Sequence, residues 1–138
     1  MNKESGAILL VEGNPYEAEM TMNALRSSGL DIDIKLARDG VEAIAFARIE
    51  PPPKLVLLDL KMPKIDGLEV LATLKRDERT HRIPIVILTS SRQEGDVLEA
   101  YRAGANGYVV KPADIDAFNA VVGALGTYWL NLNRVPRL

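Results

Sequence analysis

Short apolar runs, separated by longer stretches with helical spacing, constrain the fold of this chain more than any other feature. Runs of three to five apolar residues occur at 7–11, 55–58, 85–88 and 108–110, each bounded by polar, glycine or proline residues. Such runs are typical of strands buried on both faces of a parallel sheet. Between Ile32 and Ala37 apolar and polar residues alternate instead, which predicts a strand at an edge of the sheet.

The stretches between these runs carry signals for helix ends. A capping residue is followed three positions later by glutamate at three places: Asn14 and Glu17, Asp66 and Glu69, Ser91 and Glu94. Each pair predicts a helix start with a capping box, and Gly29 and Gly104 are expected at helix ends. Five strands alternating with helices predict one α/β domain with a flavodoxin-like, doubly wound five-stranded parallel sheet in the order 2-1-3-4-5.

Length and charge narrow the class of protein. The 138 residues suit a single domain. Seventeen basic and nineteen acidic side chains give a net charge of −2, so we expect no nucleic-acid binding, which needs a basic surface. No stretch approaches the roughly 18 apolar residues that span a bilayer. We therefore expect a soluble, cytoplasmic protein that does not bind membranes.

Polar residues follow four of the predicted strands where the strands end. They are Glu12-Gly13 after the first strand, Asp59 after the third, Thr89 at the end of the fourth and Lys111-Pro112 after the fifth. The carboxyl ends of parallel strands meet at one edge of the sheet. Two carboxylates attract a hard cation such as Mg²⁺, and an aspartate can attack a phosphoryl group, whose oxygens then need positive charge and donors. The set predicts a phosphoacceptor site.

Each member of this set also has a simpler explanation. Asp59 alone could be a helix cap or turn residue, Thr89 a turn hydroxyl and Lys111 a surface lysine. Their joint occurrence at the strand ends favours a site. The first strand is not followed by a glycine-rich phosphate loop, which disfavours a flavodoxin-like nucleotide- or flavin-binding protein.

Four segments together resemble the receiver domain of two-component response regulators. They are residues 8–12 (ILLVE), 57–67 (LLDLKMPKIDG), 84–90 (PIVILTS) and 104–112 (GANGYVVKP). The resemblance implies that Asp59 accepts a phosphoryl group from a sensor histidine kinase, with Lys111 and Thr89 contacting its oxygens. It also implies that Thr89 and Tyr108 form the switch, and that the Mg²⁺ site comprises Asp59, the backbone carbonyl of Lys61 and the acids after the first strand, here Glu12.

One position departs from the receiver pattern. Receivers usually carry two adjacent acids after the first strand, and the second one binds the metal, but this chain has Gly13 there. Losing a carboxylate removes a charged ligand from the cation. Three outcomes stay open: Glu12 becomes a ligand, water replaces the carboxylate, or phosphorylation is impaired. We expect a weakened Mg²⁺ site.

The last predicted helix is apolar on more than one side. One stripe at helical spacing comprises Ile115, Phe118, Val122, Leu125, Trp129 and Leu132, and a second comprises Val121, Ala124 and Tyr128. One stripe is enough to bind a helix to its own sheet. We therefore expect a homodimer through Tyr128 and Trp129, with the alternative that these side chains fold back over the core. This end also resembles single-domain regulators that partner bacterial phytochrome kinases.

The leading hypothesis is a stand-alone response regulator: a receiver domain at residues 6–126, followed by a helix extension and tail at 127–138. It would be a phosphoprotein of a phosphorelay, with a phytochrome-type histidine kinase as partner, and not an enzyme. The alternative is a pseudo-receiver, an interaction module that Gly13 has made independent of phosphorylation. Phosphorylation itself would act by adding charge at Asp59 and biasing a two-state surface.

Overall fold

Five strands and five α-helices alternate along the chain in the computed structural model, which describes residues 7–62 and 64–135. The strands are β1 (Ala7–Val11), β2 (Asp33–Ala37), β3 (Leu55–Leu58), β4 (Ile85–Thr89) and β5 (Gly107–Val110). The helices are α1 (Pro15–Arg26), α2 (Gly40–Ala47), α3 (Gly67–Arg76), α4 (Glu94–Arg102) and α5 (Ile115–Thr127). Gly6, Pro63 and residues 136–138, which belong to predicted segments, lie outside the described residues.

All strand pairs are parallel, and the sheet order is β2-β1-β3-β4-β5. This confirms the predicted flavodoxin-like order. Strand β1 lies between β2 and β3, so that Leu10 is paired with Leu36 on one side and Leu57 on the other. The carboxyl ends of β1, β3, β4 and β5 therefore lie along one edge of the sheet.

Burial of the strands follows their place in the sheet. Every residue of β3 and β4 is buried, and β2 alternates between exposed and partly buried residues up to Ala37. The edge position predicted for β2 is confirmed. The prediction that β5 is buried on both faces is wrong, since all four of its residues are only partly buried. Strand β5 forms the other edge of the sheet, which explains the difference.

Helices cover both faces of the sheet. Buried side chains of α1 and α5, such as Leu25 and Phe118, pack on one face with Ile8 and Leu57. Side chains of α2, α3 and α4 pack on the other face, which includes Leu9 and Ile87. This is the doubly wound arrangement that the alternating pattern predicted, and it forms one continuous domain around the sheet.

The helix ends are partly as predicted. Asn14 and Asp66 cap α1 and α3 by accepting from the backbone N–H three residues later, and Gly29 and Gly104 have positive φ. The start predicted at Ser91 is wrong, because α4 begins at Glu94 and its N-cap is Gln93. The Ser91 hydroxyl instead lies 2.5 Å from Oδ2 of Asp96.

The chain beyond α5 does not continue as an α-helix. Tyr128–Leu132 forms a π-helical turn, closed by a 2.6 Å hydrogen bond from the Asn133 N–H to the Tyr128 carbonyl. We call residues 128–135 the terminal segment. In the part of the chain that the structure describes, no helix combines the length and apolar character needed to cross a bilayer.

Candidate functional site

The backbone fixes the two acids that follow β1 and β3. The Glu12 N–H donates to the Ala37 carbonyl at 3.0 Å, and the Asp59 N–H donates to the Val11 carbonyl at 3.0 Å. Each bond extends the hydrogen-bonding ladder of the sheet one residue past the strand. Both carboxylates are therefore held at the same edge of the sheet, although 47 positions separate them in the sequence.

Strands β4 and β5 bring the other two predicted residues to this edge. The Lys111 N–H donates to the Thr89 carbonyl at 2.7 Å, so the strand pairing also continues past β5. The Thr89 side chain is buried, and its Oγ1 accepts from the Ser91 N–H at 3.4 Å. The structure thus brings together all four strand ends that the sequence singled out.

An open cleft of about 890 Å³ lies over these strand ends and is hereafter called the cleft. Its lining includes Glu12, Gly13, Asn14, Glu17, Asp59, Lys61, Thr89, Ser91 and Asp96. The β1–α1 loop, the start of α1 and the residues after β3 and β4 all contribute to it. Asp96 of α4 lines it as well, so a small ion that entered the cleft would meet carboxylates and hydroxyls from several different elements.

The side chain of Lys111 bonds to two of the acids that line the cleft and is 9% exposed. Its Nζ donates to Oε1 of Glu12 at 2.9 Å and also bonds to Oε1 of Glu17. The other Glu12 oxygen accepts from the Asn14 N–H at 3.2 Å. Glu12 is only 3% exposed, so its charge is balanced by an ion pair and a backbone donor.

The pKa values of this pair follow from burial and charge. Burial is the largest effect on Glu12 and raises its pKa, against the opposing hydrogen bond from Lys111. Burial would lower the pKa of Lys111, but its hydrogen bonds to Glu17 and Glu12 outweigh that effect, so its pKa is raised. The raised pKa favours the charged ammonium, which places a positive charge beside Glu12 and Glu17.

Close packing explains the glycine next to the α3 cap. A Cβ built on Gly67 would lie 2.3 Å from the backbone oxygen of Asp59 and 2.6 Å from Cα of Leu60, closer than real Cβ contacts allow. The Gly67 N–H donates to the Leu60 carbonyl at 2.8 Å. The start of α3 thus packs closely against the loop that carries Asp59, and this packing fixes the path of the loop.

The Tyr108 side chain reaches from β5 to the loop after β4. Its hydroxyl donates to the Ser91 carbonyl at 3.1 Å, and Ser91 is two residues beyond Thr89. A displacement of this loop towards the cleft would therefore change or break the hydrogen bond of the Tyr108 hydroxyl. The segment 89–91 therefore connects the two predicted switch residues: Thr89 is its first residue, and Tyr108 bonds to Ser91, its last.

The oxygen donors expected for a magnesium ion are of the chemical type that this ion prefers, but they are few. Glu12, Asp59 and Lys61 all line the cleft, and their carboxylate and carbonyl oxygens are ligands that Mg²⁺ prefers. Gly13 adds no side chain. Over residues 7–62 and 64–135, no three His, Cys, Asp or Glu side chains are grouped so that they could hold a metal ion.

Sequence reasoning missed the role of Glu17 in the cleft. Its spacing from Asn14 predicted that its carboxylate would return to the cap, but the Asn14 N–H is taken by Glu12. The Glu17 carboxylate instead accepts a hydrogen bond from the Lys111 ammonium, 94 residues away. An acid in the first turn of a helix that follows a predicted site strand was the available signal.

The two aromatic residues predicted for a dimer face have different environments. Trp129 packs against the core on the α1–α5 side of the sheet, whereas Tyr128 is 48% exposed. Their rings meet edge to face with centroids 5.0 Å apart. The fold-back alternative therefore describes Trp129, and Tyr128 is the member of the pair available at the surface.

Comparison with known proteins gives one consistent family. The family described as the response regulator receiver domain matches residues 8–122. The probable methanogenesis regulatory protein FilR2 of Methanothrix harundinacea is 40% identical over 134 residues, with 94% of this chain and 86% of that protein covered. The response regulator Rcp1 of Synechocystis is 36% identical, with 94% and 92% covered.

Solved structures give the same picture. The phosphorylated cyanobacterial phytochrome response regulator RcpA is similar with a TM-score of 0.89 and 35% identity, over 96% of this chain and 99% of that one. The Mn²⁺-bound form of Rcp1 gives 0.86 and 35%, over 96% and 99%. The bacteriophytochrome response regulator AtBRR gives 0.72 and 43%, over 94% and 98%.

Proposed function

The chain belongs to the response regulator receiver domain family, and we propose that its Asp59 accepts a phosphoryl group from a sensor histidine kinase. Receiver domains are signalling modules and not enzymes in the metabolic sense, and this chain is related to phytochrome response regulators. One observation supports the proposal above all: Asp59 and Thr89 line the same cleft, and the Lys111 ammonium bonds to two acids of its lining.

The proposed transfer needs a nucleophile and charge around the phosphoryl oxygens. A carboxylate oxygen of Asp59 attacks the phosphorus of a phosphohistidine, the P–N bond breaks, and its electron pair returns to the imidazole. The Lys111 ammonium and the Thr89 hydroxyl then donate to the oxygens of the new acyl phosphate. Glu12, Asp59 and the Lys61 carbonyl would hold Mg²⁺, which supplies further positive charge to these oxygens when bound.

The signal would leave the cleft through the loop after β4. When Thr89 moves towards a phosphoryl oxygen, the Ser91 carbonyl that accepts from Tyr108 moves with it. Loss or change of that bond would alter the surface formed by α4 and β5. We propose Thr89 and Tyr108 as the switch residues on this basis.

A phytochrome-type histidine kinase is the partner that we propose. The support is the similarity over nearly the whole chain to RcpA and AtBRR, whose descriptions connect them to phytochromes. We further propose residues 6–126 as the receiver domain and 127–138 as its extension. The expected lack of nucleic-acid binding and the cytoplasmic location stay predictions.

We also propose that two copies associate through the surface that carries Tyr128. Large apolar side chains are exposed on α4, on α5 and along the terminal segment: Leu98, Tyr101, Ile115, Tyr128, Leu132 and Val135. A second copy is the occupant that we propose, because a twofold axis pairs the same surface of two copies. Aromatic residues near the centre of such contacts carry much of the binding energy.

The function is tested by mapping the phosphorylated residue. The protein is incubated with Mg²⁺ and acetyl phosphate, and the added mass is located by peptide mass spectrometry. We expect one phosphoryl group on Asp59, none in Asp59→Asn, and unchanged labelling in Asp116→Asn, which removes an exposed acid of α5. Phosphate retained in Asp59→Asn contradicts the assignment. Kinase binding by a wild-type protein that takes no phosphate favours the pseudo-receiver.

A further inference from the structure

The side chain of Glu17 is directed into the cleft by the way the start of α1 is capped. Asn14 accepts from the Glu17 N–H at 3.0 Å, which is one half of a capping box. The other half is absent, because the Asn14 N–H donates to Glu12 instead. The carboxylate of Glu17 is therefore available to another partner, and that partner is the Lys111 ammonium.

Lys111 is consequently held by two carboxylates that are not the proposed phosphoacceptor. Among the described residues, the hydrogen bonds of its ammonium go to Glu12 and Glu17, and Asp59 acts on it through charge alone. An ammonium has three N–H donors, and two of them are occupied here. The Glu12 end is buried, whereas the Glu17 side chain is 41% exposed, so the Glu17 contact is the one that can separate at lower cost.

We propose that Glu17 is a positioning residue that holds Lys111 away from Asp59 until a phosphoryl group competes for the ammonium. The inference rests on the proposed function, because the competitor is the phosphoryl group on Asp59. We expect Lys111 to move towards Asp59 to reach a phosphoryl oxygen, and this movement breaks the more exposed Glu17 contact while Glu12 stays paired. The Glu17 carboxylate therefore sets how readily the phosphorylated state forms and how long it lasts.

Beryllofluoride, a phosphoryl analogue that binds aspartate, measures this competition at equilibrium. Its affinity is determined at saturating Mg²⁺ for the wild type, Glu17→Gln and the control Glu19→Gln, which removes an exposed charge from the same helix. We expect Glu17→Gln to bind roughly threefold more tightly, as for a partly exposed ion pair, and Glu19→Gln to match the wild type. Equal or weaker binding by Glu17→Gln overturns the proposal.

A double-mutant cycle shows whether the effect passes through Lys111. In a Lys111→Met background, Glu17→Gln should change beryllofluoride affinity no more than Glu19→Gln does. An undiminished gain in that background would mean that Glu17 acts on the anion directly by charge repulsion, which contradicts a positioning role.

The resonance of the Lys111 ammonium gives a readout that does not depend on phosphorylation. In protein labelled with ¹⁵N-lysine, the Nζ signal that disappears in Lys111→Met is followed by NMR. Glu17→Gln should shift this signal or broaden it by faster proton exchange, and Glu19→Gln should leave it in place. An unchanged signal in Glu17→Gln overturns the ion pair and with it the inference.

Beryllofluoride binding and the phosphorylation experiment together distinguish failure of the proposed function from failure of the role of Glu17. A wild-type protein that binds beryllofluoride and is phosphorylated, with Glu17→Gln behaving like Glu19→Gln, overturns the role of Glu17 alone. A wild-type protein that takes neither group at saturating Mg²⁺ overturns the proposed function together with the inference, whatever the Lys111 resonance shows.

Discussion

The cleft and the terminal segment differ in how the folded chain accommodates the side chains that its sequence pattern singled out. In the cleft, Lys111 and Glu12 are nearly buried, and ion pairs between residues far apart in sequence hold them. The terminal segment has apolar side chains that remain at the surface. Tertiary contacts pair the charges of Lys111 and Glu12, whereas Tyr128, Leu132 and Val135 are exposed over the residues that the structure describes. The difference separates changes that act on stability from changes that act on association.

Removal of the cation should have the largest effect on the free energy of unfolding. Lys111→Met leaves Glu12 buried without its ion pair, which typically costs about 3 kcal/mol. Adding Glu12→Gln to this variant should recover part of the loss, since the uncompensated charge is then gone. Unfolding in denaturant measures the effect.

Lys64→Met is the matched control, because its ammonium pairs with Asp39 at the surface and its side chain is 65% exposed. It should change stability by less than about 1 kcal/mol. If Lys111→Met lowered the free energy of unfolding no more than Lys64→Met does, the buried ion pair would contribute no more to stability than the surface pair.

Trp129→Ala should have the next largest effect on stability, because this side chain packs against the core. Truncation of a large aromatic core residue costs 3–5 kcal/mol, and about 2 kcal/mol is expected for one that is only partly buried. The unfolding experiment is performed at a concentration where wild type and variant have the same oligomeric state. An unchanged stability, with a shift to monomer, would assign Trp129 to the dimer face after all.

Tyr128→Ala should act on association instead of stability. If two copies pair through the terminal segment, loss of an exposed aromatic at the contact weakens the dimer by about 2 kcal/mol. Sedimentation equilibrium at several concentrations measures this. The control Tyr16→Ala removes a tyrosine that is 72% exposed on α1 and should leave the dimer unchanged.

The smallest effect is expected from restoring an acid at the cleft. Gly13→Asp should tighten Mg²⁺ binding severalfold, because the cation gains a charged ligand near Asp59. Without metal the variant should be slightly less stable, because like charges crowd the cleft. Titration calorimetry measures the affinity.

Gly95→Asp, at an exposed position with no atoms within 4 Å of the added Cβ, is the control. Equal affinity in Gly13→Asp and wild type would show that Glu12 or water already compensates.

Several local features could be predicted because each depends on neighbouring residues. Continuous apolar runs located β1, β3 and β4, which are covered on both faces, and also β5, which is an edge strand; the alternation from Ile32 to Ala37 located the other edge strand. Side-chain caps at Asn14 and Asp66 were found from short spacing. Ser91 is not the cap of α4: its hydroxyl donates to the Asp96 carboxylate in the first turn of that helix and accepts from the Gln93 N–H at 3.3 Å. Spacing shows what a hydroxyl can reach but not which competing partner it bonds to.

The sequence by itself determined the alternation of strands and helices and, through it, the edge of the sheet at which Glu12, Asp59, Thr89 and Lys111 meet. Only the tertiary structure decided that Glu17 bonds to Lys111, that Trp129 turns inward and that Tyr128 stays exposed. The physical reason is the distance along the sequence over which each interaction acts. Apolar periodicity and caps act over a few residues, whereas the partner of a buried charge and the inner side of a doubly apolar helix depend on distant segments brought together by folding.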